Sequence, residues 1–321
     1  MPARQSRVLR FHSFGEPLDV LCEDHVEVAD PPAGTIRVRT IATGLNPADW
    51  ELCRGFLQAP LPRGVGYDVA GIVDAVGPDL SEGAPGVGDL VVGSADFARQ
   101  PSAGAADVAI LDAWAPVPDG LAPVEAATLP MVVQTAAWTL QAMGVHAGAT
   151  VLVHGAGGMV GHAAVQMALA RGAHVLATAG STYRDDLTRY GAHVTGYGAG
   201  MVERVRALPR GSHVDLVLDA ARPSPGTIHD LVTLAGGDPR RVMTISNHDE
   251  ARAAGARVNL DEMSPAFTPL PELLATYAAL AARGAFRLPI ARAVPFPQWR
   301  DAVDLSVSGA PRGKVVLLVA P

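Results

Sequence analysis

The stretch Gly148-Ala149-Thr150-Val151-Leu152-Val153-His154-Gly155-Ala156-Gly157-Gly158-Met159-Val160-Gly161 decides the fold. Its first half is a short apolar, β-branched run of the kind buried in a parallel sheet. Its second half is a glycine turn leading into a helix over Gly161 to Arg171. The spacing is Gly155-x-x-Gly158-x-x-Gly161 rather than a strict G-x-G-x-x-G, and glycines alone would equally suit an ordinary tight turn. The context argues otherwise, because a second buried strand, Ala173 to Ala179, follows the helix. Strand, glycine turn, helix and strand together predict a dinucleotide site. Backbone amides approach a pyrophosphate there and the helix N-terminus adds a favourable dipole.

The end of the second strand bears on the cofactor. An acid at that place would bond a ribose 2′-hydroxyl and repel a 2′-phosphate. The stretch Ala179-Gly180-Ser181-Thr182-Tyr183-Arg184 has no acid. Its hydroxyls and guanidinium suit phosphate through charge-assisted bonds. NADP(H) is therefore expected, the alternative being that Arg184 only opens a solvated helix face.

Outward from this core, Arg184 to Tyr190 reads as a helix, with further strands at His213 to Asp219 and Arg241 to Ser246. Such alternation predicts a parallel sheet covered by helices. Before it, Pro123 to Met143 is Ala-rich with helical spacing. The first third differs. Ile36 to Ala42 alternates apolar and polar, Gly71 to Gly77 and Asp89 to Gly93 are β-branched runs, and prolines punctuate the rest. Strand texture returns at Arg287 to Phe296 and Lys314 to Val319, around a helix at Trp299 to Ser306. The tail is thus expected to fold back onto the N-terminal β unit.

Composition excludes several function classes. The chain has 321 residues, 49% of them hydrophobic and 18% charged, enough for a large core and two domains. A net charge of −7 removes the electrostatic footprint of nucleic-acid or anionic-membrane binding. No apolar run approaches the ~18 residues of a membrane span, and Met1 to Val20 has no apolar h-region, so no secretory leader is expected. A cytoplasmic protein is expected. Cys22 and Cys53 build neither a disulfide scaffold nor a four-Cys zinc site. His12, His25, His146, His154 and His162 show no ligand spacing, so no metal is expected.

With these residues in place, the chain resembles the medium-chain dehydrogenase/reductase superfamily, and within it the zinc-free quinone oxidoreductase branch. The likeness runs nearly end to end. It includes the opening Phe11 to Pro17, Gly44-Leu45-Asn46-Pro47-Ala48-Asp49, Gly66-Tyr67-Asp68-Val69-Ala70-Gly71, Gln134-Thr135-Ala136-Ala137 and Arg312-Gly313-Lys314-Val315-Val316. The resemblance implies an α/β protein. A GroES-like β domain (1–118 and 285–321) would accompany a doubly wound Rossmann domain (119–284), with the active site in the cleft.

Carried over by position, the family implies catalytic roles for Asn46, Asp49, Tyr67 and Thr135. Asn46 and Thr135 would contact the nicotinamide and its ribose, and Asp49 would brace that loop. Gly155, Gly158, Met159, Val160 and Gly161 would lie at the pyrophosphate. Ser181, Arg184 and Tyr197 would surround the 2′-phosphate. Ser246 would lie near the nicotinamide and Lys314 would be a cationic contact near the cofactor. Zinc-dependent relatives carry Cys where this chain has Asn46 and His-Glu where it has Tyr67-Asp68, and amide and phenol are poor ligands.

Three departures stand out. Met159 replaces the usual second glycine. Phe56 stands where enoyl reductases often have tyrosine. Asp219-Ala220-Ala221-Arg222 lacks the usual glycine after the strand. The implied reaction is NADPH-dependent hydride transfer to a small-molecule quinone or activated C=C. Alternatives are a dedicated enoyl reductase of a polyketide-type pathway and a non-catalytic NADPH-binding protein. A homodimer joined through sheet edges is also implied. The loops Cys53 to Gly64 and Ser94 to Gly104 would shape substrate choice.

Overall fold

The computed structural model describes residues 4–56, 60–80, 83–95 and 103–320. Parts of both loops expected to shape substrate choice, 57–59 and 96–102, lie outside the described residues. By contact the chain divides into two units, Met1–Met131 with Pro269–Pro321, and Val132–Thr268.

The first unit holds strands β1 (Arg4–Phe11), β2 (Leu21–Val28), β3 (Ile36–Leu45), β4 (Arg63–Gly64), β5 (Asp68–Val76), β6 (Leu90–Ala95) and β7 (Val108–Pro116). Helices α1 (Pro17–Val20), α2 (Pro47–Cys53) and α3 (Pro123–Ala126) interrupt and follow them. β3 is the organising strand. One edge pairs with β5, while the other pairs with β7 along Ile36 to Arg39 and with the C-terminal strand along Ala42 to Leu45. Because β5, β6 and β7 pair in turn, the sheet closes on itself through β3. Ile36, Val38, Val69, Val73, Val91 and Leu111 fill the enclosed core. The alternation of Ile36 and Val38 is what selects this inward face.

The second unit runs through α4 (Pro130–Ala142, which crosses the division), β8 (Thr150–His154), α5 (Met159–Ala170), β9 (His174–Thr178), α6 (Arg184–Tyr190), β10 (His193–Thr195), α7 (Met201–Arg206), β11 (Leu216–Asp219), α8 (Thr227–Leu234), β12 (Val242–Thr244), α9 (His248–Ala254) and β13 (Arg257–Val258). Its six strands are parallel, in the order β10-β9-β8-β11-β12-β13, and each crossover carries a helix. The order reverses direction between β8 and β11. That is the topological switch point of a doubly wound sheet.

The chain then returns through α10 (Leu270–Ala282), β14 (Ile290–Pro295), α11 (Trp299–Ser308) and β15 (Lys314–Leu318). β15 pairs antiparallel with β3, Val315 facing Leu45 and Leu318 facing Ala42. Phe11, Trp50, Phe296, Trp299 and Leu317 share one core, so both chain ends build the first unit. The contact division differs from the boundaries at 118/119 and 284/285 read from texture. The reason is packing: α3 lies on β3 and β5, and α10 on β7. Among the described residues no helix is long and apolar enough to cross a membrane.

Candidate functional site

In the first unit, polar side chains converge where β3, β5 and β15 meet. Asp68 is fully buried at the start of β5 and is the hub. Its Oδ2 accepts from Lys314 Nζ at 2.8 Å and from the Asn46 amide at 3.0 Å. Its Oδ1 accepts the backbone N–H of Met131 at 2.6 Å. Lys314 also donates to the Asn46 side-chain oxygen. The Asn46 amide reaches the Gly44 carbonyl at 3.2 Å as well, so every polar atom of that side chain is engaged. Glycine at 44 makes the convergence possible, since a Cβ there would stand 2.2 Å from the Ala127 carbonyl and 2.7 Å from the Lys314 stem.

Asp49 braces this cluster from behind. One carboxylate oxygen takes the Asn46 N–H at 2.8 Å, the other the Gly66 N–H at 2.9 Å. The turn into α2 and the turn into β5 are thereby tied to one side chain. Burial pushes the Asp49 carboxyl up to about 6, against the pull of those two backbone bonds. Tyr67 stands between Gly66 and Asp68, half-buried, its carbonyl accepting the Ala95 N–H at 2.9 Å. Phe56 is exposed, just beyond α2.

In the second unit the glycine turn leaves β8 at the switch point. Gly155 has φ +80, and a Cβ would stand 2.5 Å from the Ala221 N of the turn after β11. A Cβ on Gly161 would stand 2.4 Å from the Gly155 carbonyl, so glycine lets α5 lie against the strand end. Gly158 precedes α5 in ordinary extended backbone, and Met159 is the first helical residue. No left-handed conformation is needed at 159, which explains how methionine is accommodated there. The leading amides of Met159, Val160 and Gly161 lack intrahelical acceptors and point out of the helix. His154 locks the turn's entry, its Nδ1 lying 2.7 Å from the Thr178 hydroxyl, which accepts the Gly155 N–H at 3.2 Å. Burial depresses the His154 imidazole to about 4, keeping it neutral.

At the end of β9, Ser181 is exposed and Tyr197 extends over Gly180, whose Cβ position lies 3.9 Å from the phenol oxygen. Arg184 opens α6 and donates to the Val194 carbonyl of β10 at 3.1 Å. The acids next along α6 are Asp185 and Asp186, the latter paired with Arg189 at 2.8 Å. Arg204 on α7, which sequence reading missed, donates to the carbonyls of Gly196, Tyr197, Gly198 and Ala199. One guanidinium thus holds the loop carrying Tyr197. Its sequence signal is a cation placed one turn into a helix after a glycine-rich loop.

Beyond β11 and β12, Ser246 donates to the Ala221 carbonyl at 2.5 Å. Asp219 was also missed. It takes the Thr244 hydroxyl at 2.9 Å and the Ala221 N–H at 3.1 Å, while Thr244 accepts the N–H groups of Ser246 and Asn247. The turns after both strands therefore hang on one buried carboxylate, which burial pushes up to about 6. Next to them lies a cavity of about 460 Å³ lined by Pro223, Ser224, Pro225, Gly226, Asn247 and Glu250. Thr135 is half-buried on α4.

Comparison with known proteins agrees with this geometry. Residues 32–114 match the family described as alcohol dehydrogenase GroES-like domain, and residues 190–317 that described as zinc-binding dehydrogenase. A chloroplast envelope quinone oxidoreductase homolog from Arabidopsis thaliana is 28% identical across 99% of both chains. The fold superposes on a quinone oxidoreductase from Coxiella burnetii over 99% of this chain and 100% of that one, with TM-score 0.81 and 24% identity. The chain belongs to the medium-chain dehydrogenase/reductase superfamily. An erythronolide synthase of Saccharopolyspora erythraea is 39% identical over 195 residues, 59% of this chain. This superfamily member spans only 5% of that synthase.

The superfamily includes zinc enzymes, so the donor set matters. Where they place ligands, this chain has one amide, one phenol and one carboxylate, and a lysine ammonium already occupies that carboxylate at 2.8 Å. A cation inside the site repels a second one, and neither thiolate nor imidazole is present to overcome it. The residues do not fit a catalytic zinc. The sequence expectation placed Lys314 and Asn46 against the cofactor; in the structure their polar atoms meet Asp68 and each other.

Proposed function

We propose that the protein is an NADPH-dependent oxidoreductase that reduces a small quinone or an activated C=C without a metal. The observation that carries this reading is the acid-free end of β9, where Ser181 is exposed, Tyr197 lies over Gly180 and Arg184 opens α6. The glycine turn's residues 155 and 161 have no room for a side chain. In this reading the amides of Met159 to Gly161 bind the pyrophosphate. Arg184 and the hydroxyls of Ser181 and Tyr197 bind the 2′-phosphate, and Arg204 keeps Tyr197 in place. Bound NADPH supplies the hydride, and the protein supplies position and a preorganised polar surrounding. Charge developing on the substrate oxygen is met by hydrogen-bond donors rather than a Lewis acid. Phe56 offers no proton, so the proton comes from water, the Tyr67 hydroxyl or the cofactor ribose chain.

The relationship to a polyketide synthase favours one narrower reading, reduction of an enoyl group in a polyketide-type pathway. Rates of NADPH oxidation with quinones, enones, alkenals and enoyl thioesters test both. Turnover of quinones and enones supports the general reductase, and strong preference for enoyl thioesters the narrower one. Tight NADPH binding with no turnover of any of them would reject both and leave a non-catalytic NADPH-binding protein.

A further inference from the structure

Outside both clusters, the pairing of β1 with β2 assembles a third set of ligating side chains. Arg10 faces Cys22 across the ladder. Asp24 lies two residues beyond Cys22, so strand alternation puts Arg10, Cys22 and Asp24 on one face. His12, just past β1, reaches the same face, its Nε2 2.7 Å from Asp24 Oδ2. Cys22 Sγ lies 3.8 Å from Asp24 Oδ1. The three donor atoms fall within 4.8 Å of one another, and no other group of three His, Cys, Asp or Glu does so among the described residues.

We propose that His12, Cys22 and Asp24 bind a borderline-soft divalent cation of the zinc class, with water at the fourth position. Thiolate, imidazole and carboxylate are the donors such a cation selects. Metal–ligand bonds of ~2.0–2.3 Å in a tetrahedron put donor atoms roughly 3.3–3.8 Å apart. The Cys22–Asp24 spacing already has that value, and the His12 ring, 2.7 Å from Asp24 Oδ2, is exposed and free to adjust. Arg10 Nε holds Asp24 Oδ2 at 2.6 Å, which turns Oδ1 towards Cys22. It serves as the outer partner that orients a ligating carboxylate.

The Cys22 thiol has two acceptors within reach, the Arg10 carbonyl at 3.5 Å and Asp24 Oδ1 at 3.8 Å, so sulfur, carboxylate and imidazole share one face of the hairpin. Burial and the Asp24 charge raise the Cys22 thiol. Binding breaks its S–H bond, forms the sulfur–metal bond and releases the proton to solvent. Cys53, the other thiol, is fully buried elsewhere and does not compete. The sequence gives no hint of this set, because His12 and Cys22 meet only through strand register.

Cobalt(II), titrated into the metal-free protein, tests the proposal. One cobalt per chain should give a thiolate-to-cobalt charge-transfer band that zinc then bleaches. Zinc should also raise the thermal unfolding midpoint, since it binds the folded state. Cys22→Ser and His12→Ala should each abolish the band and weaken zinc binding at least tenfold, with the far-ultraviolet circular dichroism unchanged. Arg10→Gln should weaken binding by about 10- to 100-fold. A wild-type protein without the band, or a band that survives Cys22→Ser, overturns the site.

Discussion

Lys314 Nζ stands 2.8 Å from Asp68 Oδ2, with the two side chains 3% and 0% exposed. It is the only lysine among 25 basic residues, and it lies in the first unit's core. Removing one partner of such a pair strands a buried charge, at a cost of about 3–5 kcal/mol. Lys314→Met should therefore lower the urea midpoint of the first unit strongly. Lys314→Met with Asp68→Leu should lower it by less than the two single changes added. In the folded protein Lys314 should resist amine acylation and become reactive in urea. Rapid acylation without denaturant would contradict the burial.

The same pair predicts indifference to chelation. NADPH-dependent reduction by protein stripped of metal should equal that of untreated protein. Loss of activity on chelation, restored by zinc, would show that a metal serves the reaction despite the lysine at Asp68. Occupancy of the His12 set changes binding and unfolding measurements, not this rate.

Much of this architecture is legible in the chain because its signals are local. The glycine turn, the strand before it and the helix after it lie within a few residues. β15 is likewise announced by its apolar run. What escapes is polar pairing at a distance. Asn46, Asp68 and Lys314 carry no periodicity that marks them as mutual partners, and β15 reaches β3 only in the folded unit. Arg204 binds carbonyls, which sequence does not distinguish. The three-residue strand β10 is too short to show alternation.

Stability should depend on pH through His162. Its ring is fully buried on α5, edge-on to Tyr183 and Tyr190 at 5.4 and 5.6 Å. Both its nitrogens lack hydrogen-bond partners among the described residues. Burial depresses it from 6.5 to about 4, partly offset by the Asp186 charge. The unfolded chain takes up a proton as pH falls through 6.5, whereas the folded chain waits until about 4. The stabilisation is complete above 6.5 and is lost towards about 4, at up to about 1.4 kcal/mol per pH unit. Asp49 and Asp219, raised from 3.8 to about 6, have the opposite sign: their stabilisation is complete below 3.8 and is lost as pH rises through about 6. His162→Phe keeps those groups and an aromatic ring but removes the titration. It should lose less stability than the wild type between pH 6.5 and 4. Parallel urea midpoints across that range would show that His162 titrates alike in both states.

Cofactor choice should rest on the cation at the start of α6. A 2′-phosphate carries close to two negative charges, and charge-assisted hydrogen bonds contribute ~1.5–3 kcal/mol each. With 1.4 kcal/mol about tenfold, Arg184→Ala should weaken NADPH binding by roughly 10- to 150-fold. NADH has no phosphate for the guanidinium to meet, so its dissociation constant should change little. The Arg184 bond to the Val194 carbonyl is a structural contribution that would affect both cofactors equally, which is why the ratio is the quantity to measure. Arg204→Ala frees the Tyr197 loop and should weaken NADPH less than Arg184→Ala does, because its guanidinium is occupied by four carbonyls. Ser181→Asp places a negative charge against the phosphate and should move preference towards NADH. A wild type that binds NADH as tightly as NADPH, or an Arg184→Ala protein that loses both alike, would make Arg184 a solvated helix-face residue and remove the charge argument for NADP(H).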